Sequence, residues 1–252
     1  MIKKIIFSII LAGILAAGIY GIRSLDIVLF QEVAWILLVP IVIGITLGIR
    51  ARRKSADAAP FSEDEERHSI DSFMEHWGTA AGILVLIVSG VQIRAALSVF
   101  ALNLHFLGLF YALLFGCYFA ADFFASRKYH HILPAVTDIV DGTLKKYLLK
   151  SNFEETGKYL GSQKAAFLAF AVIGAEIVIT GGIKMAAHFW LIPYPAMQVI
   201  TVVHDVFGIF FVLFFLLHVG MVISVRAHRR LLGSWFTAKV RQSKDDAPAV
   251  SE

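Results

Sequence analysis

Apolar residues in this chain fall in long runs, without the two-residue or 3.6-residue alternation of half-buried elements. Six predominantly apolar stretches stand out: Ile5–Tyr20, Ile27–Gly48, Trp77–Leu97, Phe100–Phe124, Ala165–Ala187 and Val199–Val225. Most approach or exceed the roughly 20 residues that a helix needs to cross a hydrocarbon layer. Lipid offers no partner to a backbone N–H or C=O, so each stretch is predicted to be a helix. The expected fold is therefore all-α, an integral membrane bundle of six transmembrane helices. The chain divides into a two-helix N-terminal part (1–50), a polar linker (51–67), a four-helix domain (68–230) and a tail (231–252). The linker contains "SADAAPFSEDEE" (55–66), too polar and too short of apolar residues to pack.

Composition agrees with the pattern. The chain has 252 residues, 58% of them hydrophobic, against about half in soluble domains. The first stretch, with Lys3 and Lys4 ahead of it and small residues after it, also has the layout of a signal peptide. It is expected to be a retained helix, because no clean A-x-A cleavage site follows.

Charge sets an orientation. With the N-terminus in the cytoplasm, Lys3–Lys4, Arg50–Lys54, Arg67, the 126–164 loop and the tail all lie inside. Of the 23 Lys and Arg residues, only Arg23, Arg94 and Lys184 then face outward. The net charge of +4 is charge facing anionic lipid and gives no reason to invoke nucleic acid. The expected location is a bacterial inner membrane, multi-pass, with both termini cytoplasmic. Cys117 is the sole cysteine, so neither an internal disulfide nor a cysteine metal cluster can form. In the 126–164 loop, "TDIVDGTLKKYLLKS" (137–151) interleaves Ile139, Leu144, Tyr147 and Leu148 with charge, as a short surface helix or a solvated loop would.

Within the membrane the polar residues carry the chemistry. His68, His130, His131 and His228 fall among polar or basic residues, and His188 at a helix end beside Trp190; these read as surface or interfacial histidines. Four remain. His76 enters the third helix from inside and His105 the fourth from outside. His204 and His218 lie on the last helix, in "VVHDVFGIFFVLFFLLHVG" (202–220). Their separation gives a rise of ~21 Å and a rotation about 40° short of four turns, so both imidazoles project from one face. The topology gives each a partner at its own depth: His105 with His204 near the outside, His76 with His218 near the inside. Two stacked imidazole pairs are what two haems need, each iron taking two axial ligands while the macrocycle fills the space between helices. Gly108, Gly208 and Gly220 follow these histidines closely, and Gly78, Gly82 and Gly90 line the third helix. Glycine admits a porphyrin or a neighbouring backbone; close helix packing alone also explains such residues.

Four stretches carry a family resemblance: "EHWGTAAGILVLIVSG" (75–90), "LHFLGLFYALLFG" (104–116), "KYLGSQK" (158–164) and 202–220. Over roughly 68–230 the chain resembles the di-haem cytochrome b family. The membrane (gamma) subunit of respiratory formate dehydrogenases fits best, and the b-type subunits of nickel–iron hydrogenases are also members. The resemblance implies a four-helix core holding two haem b groups, one between His105 and His204 on the periplasmic side and one between His76 and His218 on the cytoplasmic side. It implies a quinone, ubiquinone or menaquinone, beside the latter haem and close to the 158–164 loop. Where the family usually has Asn, this chain has Leu160, which leaves Gly161 and Gln163 as candidates for the quinone pocket. The implied partners are an iron–sulfur subunit and a periplasmic molybdenum or nickel–iron catalytic subunit. Arg94 and Lys184 either pair with haem propionates or snorkel as interfacial anchors.

Two imidazoles per iron leave no open coordination position, so the expected task is electron transfer across the membrane and not substrate chemistry at a metal. Glu176, near the middle of the fifth helix, is either neutral and hydrogen-bonded or a proton relay. Asp122, at the inner end of the fourth, reads as a solvated helix end or a proton acceptor near the quinone. The competing functions are a stand-alone di-haem quinone oxidoreductase and a transporter with titrating histidines. The latter is disfavoured by the lack of inverted repeats.

Overall fold

A computed structural model describes residues 1–55, 69–150 and 159–225, together with Leu232 and Trp235. Most of the expected linker and tail, with His68, Lys158 and His228, lie outside the described residues. Among the described residues six helices are long and apolar enough to span a membrane. They are α1 (Ile2–Ile22), α2 (Leu38–Ser55), α3 (Ile70–Ala95), α4 (Val99–Ala125), α5 (Gly161–Ala186) and α6 (Tyr194–Ser224). Local chemistry sets several starts. Ser69 and Ser98 cap α3 and α4 by accepting the N–H of Ser72 and Ala101, each at 3.1 Å. Pro195 stands in the first turn of α6, where an N–H would have no intrahelical partner.

The apolar run expected as one helix over Ile27–Gly48 is broken. A short helix covers Leu29–Glu32, the backbone turns at Val33, and a 3-10 turn over Ala34–Leu37 leads into α2. Pro40 sits in the first turn of α2, the one part of a helix that tolerates it. Asn103 of α4 satisfies the broken backbone: its Oδ1 accepts the Leu29 N–H at 2.9 Å and its Nδ2 donates to the Ile27 carbonyl at 2.9 Å. The amide is fully buried, so a tertiary partner takes over hydrogen bonds that lipid could not supply.

The body of the molecule is built on α4. On one side α2 packs at Gly44 and Gly48, where an added Cβ would fall 2.3 Å from the Leu114 carbonyl and 2.5 Å from that of Tyr118. On another side α3 packs at Gly78 and Gly82, where it would meet the Phe115 ring at 2.3 Å and the Ala112 nitrogen at 2.6 Å. Both are small-xxx-small contacts between membrane helices. Gly78 and Gly82 therefore serve helix packing, as does Gly108 against Leu86 and Val85. Helix α1 joins through Phe7, whose ring meets Phe73 and Phe115 edge-on, and through Ile22 against Val85 and Leu104.

Helices α5 and α6 pair with each other through Phe170 against Phe211 and Phe214. This hairpin meets the body where Phe119 edge-on and Phe123 at a tilt pack against Phe167, where Arg94 faces Asp205 at 3.8 Å, and where His76 faces His218. Between α4 and α5, residues 136–148 are helical, with a π-helical turn over Val140–Lys145. Val136, Leu144 and Leu148 are exposed along it. The segment docks on the start of α5, where an added Cβ at Gly161 would come 2.7 Å from the Asp138 carbonyl and Lys164 Nζ lies 3.0 Å from Asp138 Oδ2.

Candidate functional site

The fold carries the four membrane histidines as two pairs at opposite ends of the bundle. The end that holds the starts of α1, α3 and α5 carries His76 and His218, with ring centroids 6.3 Å apart and planes inclined at 52°. A metal about 2 Å from a nitrogen of each ring needs centroids about 6 Å apart once the ring radii are added. The pair meets that spacing. Trp235 stacks on His76 at 4.7 Å and 21°, and Phe214 lies nearly parallel to His218 at 5.9 Å and 18°. Trp235 belongs to the stretch expected as a cytoplasmic tail; its indole lies over the imidazole. The sequence holds no signal for that contact, since an adjacent Trp235–Phe236 pair in a basic tail has no period to place it.

At the opposite end, His105 and His204 lie within electrostatic reach of each other and of Lys184. Each is held by a hydroxyl on the preceding helix. Ser89 Oγ lies 2.9 Å from His105 Nδ1, and Thr180 Oγ1 lies 2.9 Å from His204 Nδ1. In both cases the next residue is glycine. An added Cβ would come 4.0 Å from His105 Cε1 at Gly90 and 3.3 Å from His204 Cε1 at Gly181. The dipeptides Ser89–Gly90 and Thr180–Gly181 thus form equivalent cradles, the hydroxyl holding the ring and the glycine leaving room for its edge. Sequence reasoning passes over Ser89 and Thr180. The repeated hydroxyl–glycine dipeptide near one end of each of two helices is the signal that could have found them.

Arg94 makes its contact with Asp205, next to His204; its side chain is 85% exposed, which suits an anchor at the membrane edge. Glu176 is half-buried, and its carbonyl accepts the Thr180 hydroxyl at 2.6 Å. Gly161 and Gln163 have structural tasks. The first admits the Asp138 carbonyl, and the second caps α5 by accepting the Leu160 N–H on Oε1 at 3.1 Å. The Asp138 carboxyl beside them is lifted by burial, but the Ala135 N–H and the Lys164 ammonium outweigh this and hold its pKa below the usual carboxylate range.

Asp122 is not a solvated helix end: it is buried. It binds the Lys128 ammonium and accepts the Ser126 hydroxyl at 2.7 Å. Lys128 Nζ also lies 3.8 Å from Glu75 Oε2, while Glu75 Oε1 has no hydrogen-bond partner among the described residues. Tyr118 donates to Asp71 at 2.6 Å alongside. Two carboxyl groups, of Glu75 and Asp122, therefore flank one ammonium beside His76. Burial works against the charge on Lys128, but Glu75 and Asp122 overcome it and hold the ammonium above the ordinary lysine range.

Among the described residues no group of three or more His, Cys, Asp and Glu gathers to hold a metal. The imidazoles come in twos, which suits a metal whose other ligands arrive with it. Comparison with known protein families, curated proteins and solved structures returns no match to this chain.

Proposed function

We propose that the chain is a di-haem membrane cytochrome b, the membrane-anchoring electron-transfer subunit of a respiratory oxidoreductase. His76 and His218 would hold one haem b, and His105 and His204 the other. The observation that carries the reading is the arrangement of histidines: one pair at each end of a transmembrane bundle, the first at the spacing that a shared metal requires. When bound, each haem would supply a one-electron redox centre, held by one imidazole from each of two helices.

The chain's own residues do the rest. The excess of Lys and Arg in the loops supports placing the His76–His218 end in the cytoplasm. A quinone would be reduced at that end, where the Lys128, Asp122 and Glu75 network is the supply of protonatable groups nearest to His76. Lys184 brings a cation to the His105–His204 end, suited to a propionate. An iron–sulfur subunit on the outer face, fed by a periplasmic molybdenum or nickel–iron subunit of formate dehydrogenase or hydrogenase type, is the partner this reading expects. A stand-alone quinone oxidoreductase gains support from one observation: α1 and α2 cover faces of α3 and α4 that a partner's helix would otherwise reach.

Haem extraction and the visible spectrum of the purified chain test the proposal. The expected result is two low-spin b-type haems per chain, falling to one in His218→Ala and in His204→Ala. Protein without haem when produced in a haem-replete membrane would overturn it and leave the transporter reading. An iron–sulfur subunit that co-purifies supports the subunit reading; a di-haem chain that reduces quinone without one supports the stand-alone enzyme.

A further inference from the structure

The two histidine pairs are held by different chemistry. A hydroxyl has one proton to give. Ser89 Oγ lies 2.7 Å from the Val85 carbonyl and 3.1 Å from that of Leu86. Thr180 Oγ1 lies 2.6 Å from the Glu176 carbonyl and 3.3 Å from that of Ile177. Carbonyls only accept, so each hydroxyl directs its proton along its own helix, as serine and threonine in membrane helices do. The lone pair left over faces Nδ1 of His105 or His204. Two lone pairs at 2.9 Å would repel, so the proton between them belongs to Nδ1. A neutral imidazole carries one ring proton, and Nε2 is then the nitrogen with a free lone pair.

At the other end the contacts are to ring faces: the indole of Trp235 on His76 and the phenyl of Phe214 beside His218. Among the described residues neither ring has a hydroxyl partner. The difference has an electronic consequence. Donation from Nδ1–H to an oxygen makes the opposite nitrogen more basic. A more basic axial ligand favours the oxidised iron, and so lowers its reduction potential. Stacking against an apolar ring does not.

We infer that Ser89 and Thr180 are positioning residues. They fix both imidazoles of the His105–His204 pair as Nε2 ligands and make that site the lower-potential one of the two. This rests on the di-haem reading. Electrons entering at the His105–His204 end would then run downhill to the His76–His218 end, and the gradient would be set by two hydroxyls on α3 and α5.

The test is a potentiometric titration of the visible spectrum of the purified full chain, with electron paramagnetic resonance of each oxidised haem. Two separate midpoints are expected. Ser89→Ala and Thr180→Val should each raise the lower midpoint and shift the resonance of that haem alone, and the double variant should raise it further. Ser89→Thr and Thr180→Ser keep the hydroxyl and should keep the original midpoint; they decide the matter if an Ala or Val variant loses a haem. Unchanged midpoints in Ser89→Ala and Thr180→Val, or movement of the upper midpoint instead, overturns the inference while leaving the di-haem reading intact. A chain that takes up no haem overturns the reading itself.

Discussion

Asn103 shows how much one polar side chain can hold in a membrane protein. Its amide satisfies two backbone groups at the break before α2 and is itself fully buried. In Asn103→Leu the Leu29 N–H and the Ile27 carbonyl are left unmatched in an apolar setting, at a cost of about 2 kcal/mol or more. Unfolding of the variant in detergent, followed by circular dichroism, measures that loss. Lys128 is the comparable residue at the opposite end, with Asp122 and Glu75 around it. Removing the ammonium in Lys128→Met strands two buried carboxyl groups and should cost about 3 kcal/mol. The pH dependence follows from the sign of the shift. The folded state raises the lysine pKa, so the contribution is complete at neutral pH and fades only as pH rises through that raised value. The thermal midpoints of wild type and Lys128→Met should therefore differ most near neutrality and converge in strong alkali. Ser89, Thr180 and Asn103 are hard to pick from sequence. A hydroxyl in a membrane helix has its own i−4 carbonyl as the default partner, and its second partner is known only once the neighbouring helix is in place.

Helices were far easier to read than their contacts. A hydrocarbon layer demands long apolar runs, so the spans over 77–97, 100–124, 165–187 and 199–225 overlap α3 to α6 almost throughout, although α3 begins seven residues and α6 five residues earlier than expected. The stretch 27–48 misleads because its break is written in Asn103, a residue of another helix. Glycine is ambiguous in the same way. Gly78 and Gly82 suit a flat cofactor or a close backbone equally well until α4 is seen against them. That contact predicts a distinct outcome for Gly82→Leu. The branched side chain meets the Ala112 backbone, which cannot move aside as a flexible side chain would. Forcing α3 from α4 should cost ~3 kcal/mol and lower the yield of folded protein in membranes. Gly208→Ala, where an added Cβ meets nothing within 4 Å, is the control and should leave the yield unchanged.

The whole molecule is two packed units: a body of α1 to α4 and a hairpin of α5 and α6. Each histidine pair takes one ring from each unit, since His76 and His105 belong to the body while His204 and His218 belong to the hairpin. The pairing could be read from the sequence, because the spacing on α6 and the alternation of helix direction fix the depths. The division into units could not, because it depends on which glycines meet which backbones. If iron occupies both pairs, the cofactors are also fasteners. Binding energy at the metals becomes energy that docks one half of the protein on the other. Haem-depleted protein should then show faster amide hydrogen exchange throughout α5 and α6 than the loaded form, with α2 to α4 unchanged; mass spectrometry of the two forms measures this. On that reading, haem shortage would leave the hairpin held to the body only by contacts such as Phe167 with Phe119 and Phe123 and Arg94 with Asp205, a seam weak enough to open.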